Sequence, residues 1–129
     1  MEAAVFFTKS EENLTAARLC LQNGLCNASA NRAYYAMFQA AATLLMERGI
    51  DLSGRKQLDH APLQSLFANE LIHRRKILNS KFKSYLPDAQ TIRNAADYQA
   101  VVVSKKKANR PLAQAEEFVK AINEVLRYA

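Results

Sequence analysis

Residues 31–48, NRAYYAMFQAAATLLMER, decide the fold, because no solvent-facing surface could accept them. Ala33, Met37, Ala40 and Leu44 recur at helical spacing, and Tyr34, Phe38, Ala41 and Leu45 repeat the pattern about 100° further round. Two adjoining apolar stripes predict a helix buried over most of its circumference. Alanines at 33, 36, 40, 41 and 42 let neighbouring backbones come close, while Tyr34, Tyr35, Met37 and Phe38 supply bulk that interdigitates. The other helices are expected to pack around this one.

The rest of the composition agrees with a helical chain. At 129 residues one domain spanning the whole sequence is expected, large enough to bury a core without staples. Three Gly, three Pro and 50% apolar residues with abundant alanine favour an all-α class over a sheet protein. The start, MEAAVFFTKS, has only a five-residue apolar run and no basic opening, so neither a signal peptide nor a membrane span is expected and the reading is cytoplasmic. Cys20 and Cys26 read as reduced thiols. Two Cys and two His without ligand-like spacing predict no metal site, and no glycine-rich phosphate loop or nucleophile elbow is present, so no cofactor is expected.

The net charge of +6 is unevenly spread, since residues 71–115 hold ten Lys/Arg against two Asp/Glu. Such a cationic block attracts phosphates, RNA among them, or an acidic protein. In chain order, Thr8 and Glu11 stand in capping-box register and predict a helix start, with Leu14, Ala17 and Leu21 as its buried stripe and Asn23-Gly24 as its stop. Glu12, Asn13 and Gln22 read as its solvent face. A turn around residues 26–29 leads into the central helix, which stops at Gly49, so the first two helices form an antiparallel hairpin.

Residues 50–58 read as a polar loop, Asp59 as a cap for a short helix with Pro62 in its first turn, and Leu63, Leu66, Phe67 and Leu71 as its apolar side. The basic stretch from His73 through Arg74, Arg75, Lys76, Lys81 and Lys83 reads as a connection, with His73 on the surface. Phe82, Tyr85, Leu86, Ala89, Ile92 and Ala96 restore helical spacing, and Pro87 either kinks that helix or marks its start. Val101, Val102 and Val103 read as an extended, partly buried connection. Lys105, Lys106, Lys107 and Arg110 surround the start of the last helix, for which Asn109 is the expected cap and Pro111 a first-turn residue. Leu112, Ala115, Phe118, Ile122 and Val125 or Leu126 form its stripe.

The compact polar constellation is Arg93-Asn94-Ala95-Ala96-Asp97-Tyr98. On a helix Arg93 and Asp97 share one ridge and Asn94 and Tyr98 the next, so four functional groups lie on one side. As plain structure this is an intrahelical ion pair beside a packed tyrosine. The central NRAYYAMFQAAATLL, His60 at the head of the following helix and the RNAADY stretch together resemble the HEPN domain, in the branch whose late helix carries an Arg-x-x-Ala-Asp-Tyr signature. The likeness runs from the first helix through Ala-Glu-Glu-Phe in the last. It implies an up-and-down bundle of four to five helices that dimerises, with the arginine-bearing helix near the dimer cleft. It also implies activity as a ribonuclease toxin, a nucleotide-binding module, or a partner of a small nucleotidyltransferase in a toxin–antitoxin-like pair.

Ribonuclease members of the family that this sequence resembles carry Arg, then four to six residues, then His; here Arg93 is followed after four residues by Tyr98 and no histidine lies downstream. A tyrosine with an ordinary pKa of about 10 is a poor proton acceptor near neutrality. The leading expectation is therefore a homodimeric module that binds RNA or a nucleotide, or docks a nucleotidyltransferase. Arg93 contacts phosphate, Asp97 orients Arg93 or a ribose hydroxyl, and Asn94 and Tyr98 complete the cleft. Arg74, Arg75, Lys76, Lys105, Lys106 and Lys107 supply sequence-independent attraction. The rival is a metal-independent endoribonuclease using Arg93 with His60 or Tyr98, and a third reading is a purely structural helical interaction module.

Overall fold

A computed structural model describes residues 2–50, 52 and 60–127. It contains α1 (Glu2–Gln22), α2 (Cys26–Glu47), α3 (His60–Leu66), α4 (Tyr85–Tyr98) and α5 (Lys105–Arg127), and no strand among the described residues. All four other α-helices touch α2. Its buried residues run from Ser29 and Ala30 through Leu45, almost without interruption after Ala36, as the double stripe predicts. None of the described helices is long and apolar enough to cross a membrane.

The α1–α2 hairpin is the closest pair. Ala17, Ala30, Ala33, Ala36 and Ala40 are fully buried, and such small side chains bring the two backbones near enough for hydroxyls to reach across. Ser10 Oγ donates to the Ala36 carbonyl at 2.7 Å, and Ser29 Oγ donates to the Ala17 carbonyl at 2.8 Å. Both buried hydroxyls are thus satisfied. At the end of α1 Gly24 has φ +76°, with the Leu25 amide bonded to the Cys20 carbonyl; Gly49 at φ +77° closes α2 in the same way, through Ile50 and Leu45. Each glycine occupies the left-handed position that stops a helix.

Several expected boundaries move. Thr8 is not a cap: α1 already runs from Glu2, and Thr8 Oγ1 donates back to the Ala4 carbonyl, because Ala3 and Ser10 bury a further turn of the same face. The turn expected at residues 26–29 is instead the first turn of α2, and only residues 23–25 connect the hairpin. The loop expected over 50–58 and the cap at Asp59 fall almost wholly outside the described residues. α3 continues as a π-helical segment, Phe67–Arg74, whose wider turn puts Phe67, Leu71 and Ile72 all into the core. A 3₁₀ segment, Ser80–Ser84, then leads into α4, where Pro87 is the third residue and so starts the helix rather than kinking it.

The last helix begins earlier than Asn109. Ser104 Oγ accepts the Lys107 amide at 3.2 Å and the Ser104 carbonyl accepts the Ala108 amide at 2.9 Å, which launches α5 at Lys105 and leaves Pro111 buried inside it. Phe118 on α5 meets Phe67 at 5.2 Å and Phe82 at 5.8 Å between ring centres, closing the far side of the core. The valine run is a connection of which only the last residue is buried: Val101 and Val102 are exposed, whereas Val103 is buried with its amide on Asn27 Oδ1.

Candidate functional site: a buried arginine facing a histidine

Arg93 follows Leu86 and Ala89 at three- and four-residue intervals, so it lies on the inner stripe of α4 that packs on α2. Its exposure is 4%, so the guanidinium is turned into the protein rather than lying open in a cleft. A buried guanidinium costs several kcal/mol unless it is compensated. Here compensation comes from rings as well as a carboxylate. The guanidinium carbon lies 5.2 Å from the Tyr34 ring centre, 5.5 Å from that of Tyr35 and 5.7 Å from that of Tyr98, all within cation–π range. Nη1 is 3.7 Å from Asp97 Oδ2 and donates to Tyr98 Oη at 3.4 Å, while Nε has no hydrogen-bond partner among the described residues.

His60, the first residue of α3, fills the space beside it. Arg93 Nη2 stands 3.3 Å from His60 Nε2, and His60 Nδ1 stands 2.6 Å from Tyr34 Oη. A guanidinium can only donate, so Nε2 accepts and the imidazole of this arrangement is neutral with its hydrogen on Nδ1, directed at Tyr34. The imidazole sits among the rings of Phe38, Tyr34 and Tyr35 at 5.2, 5.4 and 6.1 Å. Tyr34 Oη also receives Gln64 Nε2 at 3.4 Å, and Gln64 in turn donates to Gln90 Oε1 at 2.8 Å. Burial pushes the Tyr34 hydroxyl up to about 12, against the opposing pull of the Gln64 bond and of the Arg93 charge. It remains a neutral phenol near pH 7.

Asp97 is tied to α2 as well as to Arg93, because Asn31 Nδ2 donates to Asp97 Oδ2 at 2.8 Å. Tyr98 is 76% exposed and covers the outer side of the guanidinium. Asn94 is half-buried and has no side-chain bond into the cluster. Of the six cations expected to assist, Arg74 and Arg75 share the single carboxylate of Glu70, and Arg75 Nη1 also donates to the Arg48 carbonyl, so about half of their combined charge is balanced within the fold. Lys76, Lys105, Lys106 and Lys107 are exposed, and none of the six contacts Arg93. His73 is on the surface.

Tyr34, Tyr35, Asn31, Gln64 and Gln90 were not expected at a site at all. The tyrosine pair reads as bulk for packing, and only the structure turns its rings and one hydroxyl toward Arg93 and His60. Among the described residues no three His, Cys, Asp or Glu side chains cluster as a metal would need. What is assembled is a fixed cation beside an imidazole nitrogen that accepts, with a phenol orienting the far side of that imidazole.

This sequence is 29% identical over 118 residues to the protein named "Putative toxin MJ0605" of Methanocaldococcus jannaschii, covering 92% of this chain and 84% of that one. It is 52% identical over 42 residues to "UPF0332 protein PH1297" of Pyrococcus horikoshii, a match spanning 33% of this chain and 30% of that protein. The HEPN domain profile matches residues 3–125, nearly the whole chain including every helix that builds the site. The protein therefore belongs to the HEPN domain family.

Proposed function

We propose that this HEPN protein is a toxin-like RNA-cleaving protein in which Arg93 holds the scissile phosphate and His60 takes the proton of the neighbouring 2′-hydroxyl. The observation that carries this reading is the 3.3 Å approach of Arg93 Nη2 to His60 Nε2. The sequence argument against an enzyme is the missing histidine after Arg93, and His60 brings an accepting imidazole to the same arginine from α3 instead. In the step, the 2′-oxygen bonds to phosphorus as its proton passes to Nε2. The bond from phosphorus to the 5′-oxygen breaks, and the departing oxygen takes the proton back from the imidazolium. The products are a 2′,3′-cyclic phosphate and a 5′-hydroxyl. Tyr34 Oη, kept protonated by burial, holds Nδ1–H and so fixes the ring, and Nε2, which accepts from Arg93 Nη2 in the free protein, is released for the 2′-hydroxyl proton when that guanidinium turns to the phosphate. Tyr98 turns aside to admit the phosphate.

The test uses purified protein, bulk transfer RNA and EDTA. Wild type should yield fragments ending in cyclic phosphate, and His60→Gln should slow cleavage by at least about 100-fold while leaving RNA affinity within a factor of a few. Intact RNA with wild type, or equal cleavage by His60→Gln, removes the enzyme reading.

A second reading is favoured by the burial of Arg93 at 4% exposure under three tyrosine rings. In it the protein is a non-cleaving, homodimeric partner of a nucleotidyltransferase encoded beside it, and the site binds a nucleotide or an RNA end. Copurification of that nucleotidyltransferase together with inert RNA would favour this reading over the first.

A further inference from the structure

Arg32 lies on α2 next to this site and shares a ring with Arg93. Its guanidinium carbon is 5.6 Å from the Tyr35 ring centre, and that of Arg93 is 5.5 Å from the same centre. A second link joins the two on the polar side. Arg32 Nε and Nη2 donate to Asn31 Oδ1, at 2.9 Å for Nε, while the amino group of the same Asn31 side chain donates to Asp97 Oδ2, which pairs with Arg93. From the other direction Arg32 Nη1 donates to Asn13 Oδ1 at 3.0 Å, and Asn13 Nδ2 donates to Gln39 Oε1 at 2.7 Å. Asn13, expected as solvent surface, is half-buried by this duty.

The charge of Arg32 is oriented but not neutralised. Every acceptor it meets is a neutral asparagine oxygen, and among the described residues no carboxylate lies within ion-pair distance of it. Among the described residues three of its five N–H groups are used, which leaves one on Nη1 and one on Nη2 for a phosphate. A half-buried guanidinium held by three bonds loses little side-chain freedom on binding. Asp97 balances Arg93, so the cationic charge left without a carboxylate among the described residues is that of Arg32.

We propose that Arg32 is a second phosphate-binding residue of this site, so that its ligand is an RNA strand offering successive phosphates to Arg32 and Arg93 over Tyr35 rather than a single nucleotide. The proposal rests on Arg93 being a phosphate ligand. It adds the substrate class, since a strand gains from both guanidinium groups and a mononucleotide meets only one.

The test measures anisotropy of a fluorescein-labelled, 2′-O-methyl single-stranded RNA dodecamer across a salt series, for wild type, Arg32→Gln, Arg32→Lys and Arg93→Gln. The blocked 2′-oxygen keeps the probe intact even if the protein cleaves RNA. Arg32→Gln should bind about tenfold more weakly at low salt and flatten the slope of log affinity against log salt by about 0.7, the share of one single-strand phosphate. Arg32→Lys should keep the slope while losing part of the affinity. On wild type, 5′-phosphorylated ApA should displace the probe at least about tenfold better than AMP, a readout that no variant's folding can disturb.

If wild type does not bind the probe, the phosphate reading of Arg93 fails and this proposal with it. If wild type binds and Arg93→Gln weakens it, while Arg32→Gln keeps both slope and affinity, only the second residue is overturned. Equal displacement by AMP and the dinucleotide overturns it as well.

Discussion

Arg93 illustrates how one residue can be costly to the fold and still be retained. Its guanidinium is 4% exposed, its nearest carboxylate oxygen is 3.7 Å away, and Nε is unpartnered among the described residues. Exchanging a buried, imperfectly paired cation for an apolar side chain of similar volume is often neutral or stabilising by about 1–4 kcal/mol. Arg93→Met should therefore match or exceed wild type in chemical denaturation while losing RNA binding. A loss of more than about 2 kcal/mol would instead mark Arg93 as a structural cation whose three ring contacts outweigh its burial. The arginine was legible in RNAADY together with Asp97 and Tyr98, and His60 was a candidate partner, but Tyr34 and Tyr35 were not. His60 lies 33 positions away and Tyr34 lies 59 away, and nothing in local spacing announces that their rings meet.

At the scale of elements, helix stops proved more legible than helix starts. A stop needs a residue that tolerates positive φ, and Gly24 and Gly49 are two of only three glycines in the chain. A Cβ built on Gly24 meets nothing within 4 Å, so the cost of Gly24→Ala is the left-handed backbone alone. That variant should lose about 1 kcal/mol of stability with the core intact, checked by urea denaturation and an unchanged circular dichroism spectrum. No loss at all would mean the hairpin does not depend on this Schellman stop. Starts were misplaced at Thr8 and Asn109 because several residues can cap, and burial of the preceding turn chooses among them. Ala3 and Ser10 draw α1 toward the N-terminus, and buried Ala108 does the same for α5. The π-helical stretch of Phe67–Arg74 had no sequence signature, since it exists to turn Leu71 and Ile72 inward together.

For the molecule as a whole, the basic block proved to be two populations. Arg74, Arg75, Lys81, Arg93 and Arg110 each face a carboxylate, whereas Lys105, Lys106 and Lys107 stay exposed at the start of α5 without an ion pair among the described residues. The three lysines follow the short connection that leaves Tyr98, and the RNA strand proposed at Arg93 reaches them only if it runs along that connection toward the start of α5. Replacing all three by Gln should flatten the salt slope of RNA binding by up to about 2, at about 0.7 per phosphate contact. An unchanged slope would put the strand on another face. The sequence alone determined the all-helical class, the central place of α2 and the arginine-bearing helix, because periodicity and composition are carried by neighbours along the chain. Only tertiary packing decided that Arg93 is buried, that His60 faces it, and that Arg32 keeps an unneutralised charge beside it. Those outcomes depend on which side chains from α1, α2, α3 and α4 occupy the same few ångströms, and no local pattern encodes that distance.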